Sequence, residues 1–218
     1  VLLALGVPPI TANATTTVAL WPGLVMSSRA YIAELRSVRE KLPARCVTAV
    51  LGGVIGAILL LASGNEFFYS LIPWLIGTAT LLFAFSNAIV RQVARLGTGI
   101  NGMLVRGFGL AFAVYGGYFG AGVGILLMAG LSLAGERDPQ IANAQKNLLS
   151  MLINGAAVVI FVVQGAVIWS YALIVMAGAV PGGYLGVRAA RALPKKGLRI
   201  CVIAVGTFLT LVYFQRVY

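Results

Sequence analysis

The sequence predicts an all-α fold: a polytopic transmembrane helical bundle of two homologous repeats with inverted topology, carrying a Gly-rich re-entrant hairpin. Three observations predict it. The first is composition. The 218 residues are 60% hydrophobic and only 10% charged, with mean hydropathy +0.98, whereas soluble domains carry about 25% charged residues, so lipid is the solvent that suits this chain. The second is segment length, because the apolar residues fall into runs of about 20, enough to cross a bilayer. The third is an internal repeat at a shift of 130 residues, with basic clusters set between the apolar runs.

The candidate spans run in order through 9–29, 45–63, 67–90, 107–134, 140–163, 166–187 and 197–215. The first is polar at its start (Asn13, Thr15, Thr16, Thr17) and apolar later. Residues 1–5 resemble the end of an earlier helix, and the chain opens on Val1, so an N-terminal segment is expected to precede it.

The repeat rests on three matches in register. Ala12-Asn13-Ala14 recurs as Ala142-Asn143-Ala144, and Gly52-Gly53-Val54-Ile55-Gly56 recurs as Gly182-Gly183-Tyr184-Leu185-Gly186. Gly77-Thr78 and Phe85 recur one position out of step as Gly206-Thr207 and Phe214. A period this long indicates duplicated halves of a transporter rather than a solenoid. The expected organisation is a first repeat over 1–90, a cytoplasmic connecting loop over 91–106 and a second repeat over 107–218. The Gly-rich segment 116–130 has no partner in the first half, and its counterpart would precede Val1.

Positive residues mark cytoplasmic loops. They cluster at Arg29, Arg36, Arg39, Lys41 and Arg45, at Arg91, Arg95 and Arg106, and at Arg188, Arg191, Lys195, Lys196 and Arg199. Equivalent loops differ in character: the basic loop 29–45 matches the uncharged turn 164–168, and the acidic turn at Glu66 matches the basic loop 188–199. Inverted repeats behave this way. Both ends of segment 107–134 then fall on the cytoplasmic side. A hairpin turning near Gly116–Gly124 satisfies this; the rival is one long tilted helix whose glycines serve close packing.

Several functions are excluded or disfavoured. Histidine is absent and the two cysteines, Cys46 and Cys201, form no CxxC, so neither a metal site nor a disulfide framework is expected. The carboxylates Glu34, Glu40, Glu66, Glu136 and Asp138 lie in or beside loops, so no catalytic residues, no enzyme and no membrane proton relay are expected. The net charge of +11 suits an anionic leaflet rather than nucleic acid. Gly97-Thr98-Gly99-Ile100-Asn101-Gly102 matches GxGxxG but follows a membrane helix, not a strand, so no nucleotide cofactor is expected. Asn13-Ala14-Thr15 matches a glycosylation sequon at a membrane helix start, where no glycan fits.

The candidate substrate-binding residues are Asn13, Thr15, Thr16, Asn143, Lys146, Asn147, Gly120 and Gly122. Two polar helix starts approaching from opposite sides would present free N–H groups and positive dipole ends to an oxyanion. Lys146 would add a full charge, and the glycines a nest of N–H groups. Plainer roles stand beside these: Lys146 snorkelling to the interface from roughly 10 Å of helix depth, Asn13 and Asn143 bonding between helices, and the glycines packing closely. Trp21-Pro22 would kink its helix, and Trp74 and Trp169 suit interfacial belts.

The motif order resembles the TauE/SafE family (also TSUP or DUF81) of sulfite and organosulfonate exporters. The resemblance is carried by Ala12-Asn13-Ala14-Thr15 through Val18-Ala19-Leu20-Trp21-Pro22-Gly23, and by Gly116-Gly117-Tyr118-Phe119-Gly120-Ala121-Gly122-Val123-Gly124. Ala142-Asn143-Ala144 with Lys146-Asn147, and Gly182–Gly186 with Arg188, extend it over nearly the whole chain. It implies a multi-pass protein of a bacterial inner membrane that exports a small anion, sulfite or an organosulfonate. Its partners would be the lipid bilayer and that anion; the sequence carries no signal of oligomeric state. The competing reading is a non-transporting membrane scaffold or assembly subunit.

Overall fold

A computed structural model describes residues 2–95, 102–192 and 195–218; for 94, 95, 180, 183–192, 195, 196 and 198 it describes the backbone only. Among the described residues all regular structure is helical, with no strand. A 3-10 turn, Leu2–Leu5, precedes helices α1 (Pro9–Arg29), α2 (Ile32–Arg36), α3 (Leu42–Ser63), α4 (Asn65–Arg95) and α5 (Gly102–Tyr118). Then follow α6 (Val123–Leu133), α7 (Pro139–Val163), α8 (Trp169–Ala192) and α9 (Lys195–Val217). Among the described residues, four helices are long and apolar enough to cross a membrane: α3, α4, α7 and α9. The polar start of α1 sets it apart from these.

The helix starts follow from local chemistry. Prolines occupy the first or second position of α1, α3 and α7, where the missing N–H costs nothing. Asp138 caps α7 by accepting the Gln140 and Ile141 N–H groups at 2.8 and 3.3 Å. The start of α1 has no side-chain cap of its own; instead Asn65, opening α4, accepts the Ile10 N–H at 3.1 Å. Pro22 lies inside α1, and the helix continues past it to Arg29.

Glycine and alanine let α3 approach two neighbours closely. Its tightest partner is α5. A Cβ at Gly109 would lie 4.0 Å from the Thr48 methyl, one at Gly52 would meet Ala113, and one at Gly56 would lie 2.8 Å from the Gly117 carbonyl carbon. The pairs keep a constant separation of 61 residues, so α3 and α5 run parallel. Small residues at four-residue spacing are how membrane helices bring backbones together. α7 packs on α3 in the same sense: Arg45 meets Gln145 and Gly53 meets Ile153. The starts of α3, α5 and α7 therefore share one end of the bundle.

The segment expected at 107–134 is two helices. α5 stops at Tyr118 and α6 begins at Val123, and Phe112 of α5 lies against Gly130 of α6, 3.4 Å from where its Cβ would stand. The two helices therefore fold back on each other, and α6 ends at the bundle end where α5 starts and α7 begins. The turn uses Gly120 (φ +81°) and Gly122 (φ +77°), backbone that side-chain-bearing residues rarely adopt. The Tyr115 hydroxyl steadies it by donating to the Ala121 carbonyl at 2.8 Å.

Helices α4 and α9 pack along their length. Trp74 of α4 packs edge-to-face on Phe214 of α9 at 5.0 Å. Further along, Gly77 faces Thr210, Gly206 faces Thr80, and Arg199 donates to the Ala84 carbonyl. Numbers rise on one helix as they fall on the other, so α4 and α9 run antiparallel. A glycine of each helix thus lies against a threonine of the other. α1 and α7 pair likewise: Trp21 meets Met151, while Ile10 and Ala14 share a core with Ala157 and Phe161.

Helix α4 continues to Arg95 and α5 begins at Gly102, so the described part of the 91–106 linker is helical at both ends. The glycine pattern at 97–102 lies outside the described residues except for Gly102. The basic cluster at Arg188, Arg191, Lys195 and Lys196 has no described side chains, and neither do Gly183 and Gly186.

Candidate functional site

Polar side chains in this apolar protein converge on the turn between α5 and α6. Asn13, one turn into α1, donates its side-chain amide to the Tyr118 carbonyl at 3.3 Å, where α5 ends. On the other flank, Asn154 of α7 brings its amide oxygen within 3.7 Å of where a Cβ of Gly120 would stand. Lys146 lays its stem along the start of α6: a Cβ at Gly124 would lie 3.4 Å from its Cδ. Gly122 packs on Ala79 and Leu82 of α4, whose side chains would clash with anything much larger. Three other helices, α1, α4 and α7, thus hold one break in the α5–α6 pair.

The geometry sorts the predicted residues by helix face. With 100° per residue, Asn143, Lys146, Asn147, Ser150 and Asn154 share a stripe along α7. Their repeat mates Asn13, Thr16 and Thr17 share the equivalent stripe on α1, which then turns apolar at Leu20. Asn13 and Thr16 line a cavity of about 200 Å³ walled also by Phe119, Ile72, Ile76 and Tyr213. Thr16 donates its hydroxyl back to the Ala12 carbonyl and Thr17 to that of Asn13, leaving the hydroxyl oxygens able to accept.

Thr15 stands apart from the other candidates. It is fully buried on the opposite side of α1, and its hydroxyl accepts the Ile168 N–H at 3.1 Å, just before α8 begins. Its repeat mate Gln145 is also fully buried. Gln145 accepts from Arg45, in the first turn of α3, and donates to Glu136 at 3.0 Å. Thr15 thus holds the start of α8 and Gln145 the start of α3.

Asn154 and Ser150 escaped the sequence reading because neither has a polar mate in the first half. The signal that could have found them was the four-then-three spacing from Asn143. The Trp21 indole donates to the Met151 carbonyl at 3.0 Å, tying α1 to α7 beside the stripe. Trp74 and Trp169 are both more than half exposed, as lipid-facing aromatics would be. Among the described residues, no group of three or more His, Cys, Asp or Glu is placed to hold a metal.

The arrangement can hold a small anion. Each flank offers amide donors, α7 supplies one ammonium, and the α6 N-terminus points its dipole at the break. It offers no nucleophile paired with a base.

The sequence profile of the family described as "Sulfite exporter TauE/SafE" matches residues 1–213. A protein of Haemophilus influenzae described as "Probable membrane transporter protein" is 28% identical over 220 residues, covering 98% of this chain and 84% of its own length. No solved structure matches the chain.

Proposed function

Because the chain belongs to the sulfite exporter TauE/SafE family, we propose that this multi-pass membrane transporter exports a small sulfur oxyanion, sulfite or an organosulfonate, through the break between α5 and α6. The observation that carries this is the approach of two repeat-related helices to one turn. Asn13 reaches the Tyr118 carbonyl from α1, and Lys146 lies against Gly124 from α7. The anion would sit between the α6 N-terminus and these side chains, with Lys146 supplying charge, Asn143 and Asn147 donating from one flank and Asn13 from the other, where Thr16 lines the wall; Asn154 is engaged with the Ser150 carbonyl and braces the turn. Gly120 and Gly122 let the backbone come close. Thr15 is assigned to anchoring α8.

In this reading the two halves, 1–90 and 107–218, are inverted repeats about an axis in the membrane plane. The α5–α6 pair is a re-entrant hairpin, entering and leaving at the cytoplasmic face. The antiparallel pairing of α4 with α9 and of α1 with α7 supports the first. The return of α6 to the end where α5 starts supports the second. Alternating access would move one half against the other, exposing first the Lys146 flank and then the Asn13 flank.

The test is export of sulfite and of taurine from proteoliposomes holding the purified protein. Lys146→Met is expected to lower flux of both at least tenfold, an effect of about 1.4 kcal/mol, while Lys146→Arg retains part of it. Wild-type flux in Lys146→Met would remove the charge from the mechanism, and absence of flux in the wild type would remove the substrate class.

A further inference from the structure

A second basic feature lies away from this site. Between α3, α5, α6 and α7, at the bundle end where three of these helices start, is an open cavity of about 740 Å³. That is within the range of pockets that hold organic ligands rather than single ions. Most of its wall is aliphatic or aromatic, including Val47, Phe112, Leu127, Leu131 and Ile153. The charged residues on the wall are two arginines, Arg45 and Arg106.

Their placement follows from the packing of α3 on α5. The 61-residue separation that pairs Thr48 with Gly109 and Gly52 with Ala113 also sets Arg45 level with Arg106. Both arginines therefore stand level on adjacent parallel helices and line one cavity, each within roughly 6 Å of its helix start. Like charges at such a level repel unless an anion lies between them. Glu136, the carboxylate nearest Arg45, reaches it through Gln145 and is not on the cavity wall. Around the arginines, the neighbouring outer faces of α3 and α5 are lipid-like: Val47, Leu51, Leu104 and Phe108 are all well exposed.

We propose that this cavity binds an anionic phospholipid of the cytoplasmic leaflet, with the phosphodiester bridging Arg45 and Arg106 and an acyl chain lying along Phe112, Leu127 and Leu131. Arginine forks match phosphate oxygens well, and basic pockets between membrane helices at the cytoplasmic side suit lipid headgroups. A small transported anion would have no use for so long an apolar wall. The bound lipid would seal the tightest helix pair of the bundle at its charged end. This proposal does not depend on what the protein transports.

Native mass spectrometry of the purified protein tests it, using phosphatidylglycerol and phosphatidylcholine with identical acyl chains. Phosphatidylglycerol is expected to be retained preferentially, and Arg106→Gln to lower that preference about fivefold, the effect of one basic residue at a membrane surface. Gly109→Leu fills the cavity where a Cβ meets only the Thr48 methyl at 4.0 Å, and is expected to lower retention of both lipids while elution volume and helical circular dichroism stay at wild type. Equal retention of the two lipids, or an unchanged preference in Arg106→Gln, would overturn the proposal. So would displacement of the lipid by millimolar sulfite or methanesulfonate, which would assign the cavity to the transported anion. Because Arg106 is exposed, its variant reports on the site even if Gly109→Leu does not fold.

Discussion

Trp21 donates its indole N–H to the carbonyl oxygen of Met151, the residue 130 positions further along and its own mate in the internal repeat. The contact joins α1 to α7 where the two helices cross. Gly155 makes room for it: a Cβ there would lie 2.9 Å from the indole nitrogen and 3.2 Å from the adjacent ring carbon. Trp21→Phe should cost about 0.6 kcal/mol, the usual worth of a hydrogen bond between membrane helices. Gly155→Ala should cost more, about 1–3 kcal/mol, because the ring has to move. In the double variant Trp21→Leu with Gly155→Ala, the methyl group occupies vacated space, so the two costs should fall well short of additive. Unfolding midpoints in detergent check this, and strict additivity would show that the two residues do not share the crossing.

Much of this was legible from sequence because lipid imposes simple rules. The span expected at 9–29 is helix α1 to the residue, and those at 45–63, 67–90, 140–163 and 197–215 lie inside the observed helices. The repeat shift located the Asn13 and Asn143 helix starts. What sequence could not decide was side. Thr15 and Thr16 are adjacent and chemically alike, yet one is sealed against Ile168 and the other lines a cavity. Facing is set by which neighbour packs where, and in a helix that is apolar all round, hydrophobic periodicity says little about it. The short helix α2 within the basic loop, and the bridging role of Gln145, were invisible for the same reason: both depend on partners a hundred residues away or on local packing.

The α3–α5 contact should tolerate no added carbon at Gly56. A Cβ there would meet the Val114 carbonyl oxygen and lie 2.7 Å from the Tyr118 nitrogen. These are backbone atoms, which cannot yield as a side chain can. Gly56→Ala is expected to destabilise by about 3 kcal/mol, the upper part of the overpacking range. Gly23→Ala, in α1 with nothing within 4 Å of the new methyl, is expected to be neutral or to stabilise by about 0.5–1 kcal/mol through helix propensity. Thermal unfolding of the two variants side by side tests the assignment, and similar midpoints would mean that the helices are not packed as closely as described.

Topology can be read by single-cysteine labelling after Cys46 and Cys201 are replaced by alanine. A membrane-impermeant maleimide added to intact cells should label Glu66→Cys and Gln164→Cys. It should reach Ser37→Cys, Gly102→Cys and Arg137→Cys only after permeabilisation. All five positions are exposed, and a side chain at Gly102 meets nothing within 4 Å. The decisive pair is Gly102 and Arg137, which bracket α5 and α6. If they label from opposite sides, the pair spans the membrane once and the inverted arrangement falls.

Gln145 offers a test of what pins α3 to α7. It is fully buried, accepts from Arg45 and donates to Glu136 at 3.0 Å. Gln145→Leu removes both bonds and leaves the Arg45 guanidinium and one Glu136 carboxylate oxygen half-buried without the amide that joined them. Unpaired buried groups of this kind cost about 1–3 kcal/mol each, and charged ones more, so the variant should be among the least stable single substitutions in the protein. Adding Arg45→Met and Glu136→Leu should recover much of the loss, because replacing an entire buried polar network by apolar groups is often close to neutral. Lost packing alone would behave differently: the triple variant would then be no more stable than Gln145→Leu. Recovery, measured as the return of the unfolding midpoint, separates stranded charge from a misfitting side chain and shows that Gln145 serves to pair Arg45 with Glu136 across the two halves.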